Sequence, residues 1–291
     1  MTGVFSQDYL DLIGKETTLH FVGRTSSGTH VIIHTLLFKN GAQIMPLKTI
    51  ICDWNGTLIG HRNEMPLFST VGNGLFKASV PFRLRKAARI IKGKRELNAL
   101  QLRAKKLSVH EYVAEIFRIY NSRIVRDFPL KLVYRLIEEY AAMPETQEQL
   151  DHSVLRPVAE CRRDGKTTGI LSAGCRYGIE AILNIAGYGK SFDFYTADEI
   201  EHNNGRMVGF GLSIYGNKRI YLLDLLKEKN IAPETVAYMG DTDDDAACFD
   251  IVGYPVVPFL APDEAKERFA REHKAFVPED EADLLRYLRY A

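Results

Sequence analysis

The sequence predicts an α/β protein: a parallel sheet with helices on both faces, interrupted by a helical insertion. Three observations carry this. The hydrophobic run Thr49 to Cys52, inside KTIICDWNGTLIG, reads as a buried strand that delivers Asp53 at its end. From Pro157 onward the chain alternates helix and strand. Between the two, apolar stripes at helical spacing run to about Gln149.

Residues 1 to 44 contain a short helical signal, Ser6 to Ile13, and two β-like runs, Thr18 to Val22 and His30 to Phe38, joined by the turn-rich RTSSGT. They form an N-terminal extension, a small hairpin in one reading, while in the other Met45 is the natural start. After the Thr49 strand, Ile59 to Gly74 is polar and rich in turn residues, so a loop is expected. Ser108 and Glu111 make a capping box ahead of the stripe Tyr112, Val113, Ile116, Phe117 and Tyr120. A second stripe, Leu132, Val133, Leu136, Ile137 and Tyr140, follows Pro129, which suits a first helical turn. Beyond it come a helix from Pro157 that ends at Gly165, a strand Thr168 to Leu171, a helix from Gly178 and a strand near Phe192 to Thr196. Tyr254 to Pro258, Pro262 to His273, Ala275 to Val277 and Glu281 to Tyr290 continue the alternation. The sheet domain is thus assembled from residues 45–60 and 150–291, with residues 61–149 as a helical insertion.

Composition narrows the function classes. With 46% hydrophobic residues in 291, the chain can bury a large core. Its 38 basic residues balance 37 acids, which favours neither nucleic acid nor an acidic membrane as an obligate partner. The four cysteines, Cys52, Cys161, Cys175 and Cys248, lie far apart without CxxC spacing, so neither a disulfide framework nor a thiolate zinc site is expected and the compartment reads as reduced and cytoplasmic. The run Val31 to Phe38 is far shorter than the roughly 20 residues that span a bilayer.

Four segments carry chemistry. Asp53 ends its strand beside a turn made by Gly56, where exposed amides could cradle a phosphate, and a carboxylate so placed can attack phosphorus. TTGILSAG is a strand ending in Ser172 and small residues; Lys218 opens a helix after Gly216 and Asn217, with Arg219 as the alternative register. VAYMGDTDDDAACF packs Asp241, Asp243, Asp244 and Asp245 into one loop, which is costly unless a hard cation such as Mg²⁺ sits among them.

In this order the four segments resemble the motifs of the haloacid dehalogenase superfamily, whose phosphatases carry DxDGT, and the resemblance covers roughly Pro46 to Ala291. TADEIEHNNGRMVG, with a cap inserted after the first motif, is similar to the phosphoserine phosphatase subgroup. The resemblance implies a Rossmann-like core and a helical cap, with Asp53 as nucleophile. Ser172, Ala173 and Thr57 would bind phosphate, and Lys218 would neutralise it. Mg²⁺ would be held by Asp53, the Asn55 carbonyl, Asp241 and Asp245, with Asp244 in support. The implied activity is Mg²⁺-dependent hydrolysis of a small phosphorylated metabolite.

Asn55 departs from the pattern, because the family has there the carboxyl that exchanges a proton with the leaving group and with water. Losing such a group costs about 10² to 10⁴ in rate. Three readings follow: a slow or selective phosphatase acting on a good leaving group or drawing a proton from its cap, a deamidated fraction at Asn55–Gly56, or a metal- and phosphate-binding regulatory module without turnover. From Lys77 to Lys106 eleven Lys or Arg face a single acid, Glu96, a field that would concentrate anionic substrates. With only Phe76 and Phe82 as aromatics, the stretch is poorly equipped to stack on nucleic acid, and no membrane partner is expected. Glu64 lies near the position of a substrate-holding carboxylate in the subgroup, but GHRNEMPL does not match well enough to carry that role over.

Overall fold

In the computed structural model, residues 16–24, 30–39, 42–43, 45–80 and 83–291 are described. Two compact units result, residues 1–46 and 47–291. In the first, β1 (Glu16–Arg24) pairs antiparallel with β2 (His30–Lys39), and β2 with β3 (Ala42–Gln43), so the two runs read from sequence form a hairpin with a third strand added. The helical signal at 6–13 and the turn at 25–29 lie outside the described residues.

The second unit begins with β4 (Thr49–Cys52), all four residues of which are buried. Helices α1 (Met65–Ser79), α2 (Leu84–Arg103), α3 (Val109–Ile119), α4 (Leu130–Ala141) and the short α5 (Pro144–Gln147) follow, with a π-helical turn over Tyr120–Val125. The loop expected up to Gly74 is therefore mostly helix. Its apolar residues Leu67, Phe68, Val71 and Leu75 recur at helical spacing, and the glycines that look like turn signals are contact points. A Cβ on Gly74 would stand 2.3 Å from Leu136 Cδ2 of α4, and one on Gly72 would stand 3.3 Å from Ile124. The Ser108–Glu111 capping box forms as expected.

Next comes α6 (His152–Arg163), which starts five residues before Pro157 and contains it. Asp151 caps the helix by accepting from the Ser153 amide at 3.0 Å, and the buried stripe Val154, Leu155, Val158 and Cys161 outweighs the one hydrogen bond that proline removes. The rest is β5 (Thr167–Cys175), α7 (Arg176–Ile185), β6 (Phe194–Asp198), the hairpin β7 (Ile200–Asn203) and β8 (Arg206–Phe210), α8 (Lys218–Glu228), β9 (Val236–Met239), α9 (Asp243–Phe249), β10 (Tyr254–Val256), α10 (Asp263–His273) and α11 (Glu281–Tyr290). Ala275 to Val277 is not a strand: Phe276 makes a single bridge to Val256, between the left-handed Lys274 and Pro278, which cannot donate to a ladder.

The sheet order is β10-β9-β4-β5-β6, and every pairing in it is parallel. Ile51, Leu171 and Tyr238 pack with Leu222, Leu225 and Leu226 of α8, Phe249 of α9 and Phe269 of α10 on one face. Alternate residues of the strands point the other way, where α6 packs on β5 and α11 on α6. The β7–β8 hairpin holds the helical insertion. Asn121 donates to Phe210 O and accepts from Phe210 N, both at 2.9 Å, and Phe210 sits in one aromatic group with Phe68 and Tyr120.

Candidate active site

Because β4 runs parallel between β5 and β9, with Cys52 opposite both Ile170 and Met239, the loops beyond their C-terminal ends converge. Asp53 leaves β4 there, with its amide bonded to Met239 O at 2.8 Å. Asp241 leaves β9, and each of Asp53, Asp241 and Asp245 offers an oxygen within 4.8 Å of the others, all three being buried.

Lys218 answers this charge from the first position of α8. Its Nζ donates to Asp245 Oδ1 at 2.7 Å and lies 2.9 Å from Asp53 Oδ1, close enough for an ion pair but off the line of a hydrogen bond. The register is thereby decided, since Arg219 is exposed and bonds to Ala247 O. Asp245 Oδ1 also accepts from the Tyr238 hydroxyl at 2.8 Å. Its Oδ2 accepts from the amides of Asp241 and Thr242 and from the Thr242 hydroxyl at 2.6 Å. Five donors thus occupy Asp245.

Asp53 Oδ1 and Asp241 Oδ1 are buried without a hydrogen-bond partner. Burial raises the Asp53 carboxyl to about 6 despite Lys218, and burial together with Asp53 and Asp245 raises Asp241 to about 7. Burial also works against the charge of Lys218, but Asp245 and Asp53 outweigh it and raise its pKa; Lys218 in turn helps hold Asp245 below the usual carboxylate range against its own burial. Two buried carboxylates of like charge, each with an oxygen outside any hydrogen bond and only Asp53 in ion-pair contact with Lys218, are the donor set a hard divalent cation fits. The backbone permits their approach only because residue 56 is glycine, at φ +75°: a Cβ there would stand 2.4 Å from Asp241 Oδ2.

The remaining residues singled out by sequence are spread around this centre. The Ser172 hydroxyl, buried in β5, accepts from the Gly174 amide at 3.1 Å, and Ala173 is partly buried beside it. Thr57 is fully buried and its hydroxyl has no hydrogen-bond partner. The amides around Gly56 are not an open cradle. Gly56 N donates to Ile59 O and His61 O, and the amides of Thr57, Leu58 and Ile59 all turn back to Trp54 O. Asp244 stands outside the carboxylate group, and its Oδ2 accepts from Gly216 N at 3.0 Å.

Sequence reasoning set Glu64 aside. At the start of α1, Glu64 Oε1 accepts from Asn55 Nδ2 at 3.1 Å, and it would lie 2.7 Å from a Cβ on Gly174. Burial pushes its carboxyl up to about 7, the Asn55 hydrogen bond opposing and Asp53 adding to the shift. A cavity of about 10 Å³ beside the pair, lined also by Trp54, Leu67 and Tyr140, has room for a single water-sized group. Pro66 in the first turn of α1 is the one sequence signal that would have placed Glu64 at a helix start.

The haloacid dehalogenase-like hydrolase model matches residues 50–250, more than half of the chain. The chain belongs to that family. No curated protein sequence matches this hydrolase. Among solved structures, a substrate-bound phosphoserine phosphatase complex superposes with a TM-score of 0.53 at 16% identity, covering 84% of this hydrolase and 99% of that chain. Cytosolic 5'-nucleotidase IIIB bound to cytidine gives 0.54 at 16% over 83% and 85%. A protein of unknown function from Bordetella pertussis Tohama I gives 0.56 at 12% over 80% and 98%. These likenesses establish a shared fold.

Proposed function

We propose that this hydrolase is a Mg²⁺-dependent phosphatase of the cytoplasm that cleaves small phosphate esters or acyl phosphates through an aspartyl phosphate on Asp53. The observation that carries the reading is the buried pair Asp53 and Asp241, each with an Oδ1 outside any hydrogen bond, beside the buried Lys218 that is ion-paired with Asp53. Asp53, Asp241 and the Asn55 carbonyl would hold the cation, which when bound neutralises the carboxylates and the phosphoryl oxygens. Asp245, already occupied by five donors, orients Lys218 rather than binding metal, and Asp244 steadies the Gly216 turn that precedes α8.

Asp53 attacks phosphorus as the P–O bond to the leaving group breaks, while Ser172 and Lys218 hold the phosphoryl oxygens. Water then releases phosphate and regenerates the carboxylate, so that one hard step becomes two easier ones. Asn55 cannot move the protons these steps require. Glu64, bonded to Asn55, gives a proton to the leaving oxygen and later takes one from water. The structural neighbour that is a phosphoserine phosphatase supports a small phosphorylated substrate for this chain as well.

A panel of phosphate esters and acyl phosphates with Mg²⁺, run on wild type, Asp53→Asn and Asn55→Asp, tests the reading. Release by wild type that Asp53→Asn abolishes is the expected result; silence of wild type and of Asn55→Asp on every substrate sinks it. Asn55 itself favours one second reading, a metal- and phosphate-binding module without turnover, for which calorimetry would show Mg²⁺ and phosphate binding without release.

A further inference from the structure

Eleven Lys or Arg and one acid occupy residues 77–106, and nine of the bases, those from Arg85 to Lys106, fall into two sets in the structure. Lys86 donates to Asp127 O at 2.7 Å and lies over the Phe128 ring, Arg89 pairs with Asp127, and Lys94 donates to Asn73 at 2.6 Å. These three tie α2 to its neighbours. Arg85, Lys92, Arg95, Arg103, Lys105 and Lys106 are exposed, and among the described residues none of them makes an ion pair.

Large apolar side chains share the outer face of α2. Leu84, Ile91 and Leu102 are 70%, 40% and 88% exposed, and spacings of seven and eleven residues set them on one line along the helix. Arg95 lies on that line, with Arg85, Lys92 and Arg103 along its flank. The opposite side of the helix buries Ile90, Gly93 and Leu100. At the C-terminal end of α2 a groove of about 630 Å³ opens toward α3, lined by Leu100, Leu107 and Ala114, by Arg103 and Lys106, and by Glu111, Glu115 and Arg118, the last two ion-paired at 2.6 Å; with two acids in its wall it is no part of the basic face. Val109, 71% exposed, opens α3.

A merely solvated basic face has no use for a line of exposed Leu and Ile, a face for single-stranded nucleic acid would carry aromatics for stacking, of which residues 84–109 hold none, and a duplex held by its phosphates has no use for the apolar line. An apolar line bordered by bases is the pattern of a helix lying in a lipid interface, where the bases meet anionic headgroups. The overall charge of +1 conceals it by averaging.

We propose that the outer face of α2 docks this hydrolase on an anionic lipid surface. Leu84, Ile91 and Leu102 enter the headgroup–acyl boundary, while Arg85, Lys92, Arg95 and Arg103 pair with headgroup anions. The full chain mixed with phosphatidylcholine vesicles, with or without phosphatidylserine, and sedimented tests this. Wild type is expected to bind the anionic vesicles only, less as salt is raised. Reversing Lys92→Glu and Arg95→Glu together should weaken binding at least tenfold, at roughly fivefold per base removed. Leu102→Ser should weaken it at least about threefold. All three positions are exposed, and circular dichroism of the variants verifies that they fold. No partition into anionic vesicles, equal partition into neutral ones, or full binding by Leu102→Ser overturns the proposal, as does binding of a short RNA duplex run in parallel without binding of vesicles.

Discussion

Asn55 and Glu64 share a 3.1 Å hydrogen bond, so a carboxyl stands next to the place where the family keeps one. If Glu64 exchanges the protons, Glu64→Gln lowers kcat by about 10² to 10⁴, while Asn55→Asp in wild type gains little and in Glu64→Gln restores most of the loss. Initial rates on the best panel substrate measure both. Lys218 presents a separate problem of burial, since it is the countercharge of Asp53 and Asp245. Lys218→Met should cost about 3 kcal/mol in urea unfolding because it strands those carboxylates. Asp53, Lys218 and Asp241 were legible in the sequence because each follows a hydrophobic run or opens a helix at a motif's spacing. Glu64 was not, because what brings it to Asn55 is the path of the chain into α1, which no local pattern records. The occupancy of Asp245 was missed, since the family resemblance gave it to the metal: in the structure it forms a capping box with Thr242, and Tyr238 reaches it from within a strand.

Among the elements, those with long periodic stripes were readable, and α4, with Val133, Leu136, Ile137 and Tyr140 buried, is the clearest case. The misreadings occurred where a residue known for breaking structure serves packing instead. Gly72 and Gly74 admit α4 and the π-helical turn against α1, and Pro157 sits in a helix whose cap lies six residues upstream. Two helix substitutions separate these effects. Gly74→Ala gains about 1 kcal/mol of helix propensity but drives a methyl to 2.3 Å from Leu136, and overpacking of about 1 to 3 kcal/mol makes the net change a loss. Ser108→Ala removes one half of a capping box and should cost about 1 kcal/mol. Thermal unfolding compared with wild type reads both; a stabilised Gly74→Ala would mean that Leu136 swings aside freely.

For the whole molecule, the raised Asp53 and Asp241 carboxyls set a pH dependence of stability. Both bind protons more tightly folded than unfolded, so from about pH 4 to 7 the native state carries the more protons and these groups make stability fall as pH rises. A cation bound to the ionised pair opposes the fall. Calorimetric scans should therefore show Mg²⁺ raising Tm more at pH 8 than at pH 5, and Asp241→Asn should remove most of that difference. Equal Mg²⁺ shifts at both pH values would mean that the ion binds elsewhere. The placement of β4 has a further consequence, for synthesis. The strand that leads into Asp53 is made early, yet both strands that flank it come much later, with Thr49 paired to Thr167 on one side and Val236 on the other. At about 5 to 20 residues per second, a ribosome completes β9 roughly ten to forty seconds after β4. Until β5 is made, about 120 residues after β4, the apolar run Thr49 to Cys52 has no strand beside it, and until β9 it is flanked on one side only, so a growing chain has the most need of a chaperone at the segment that leads into Asp53.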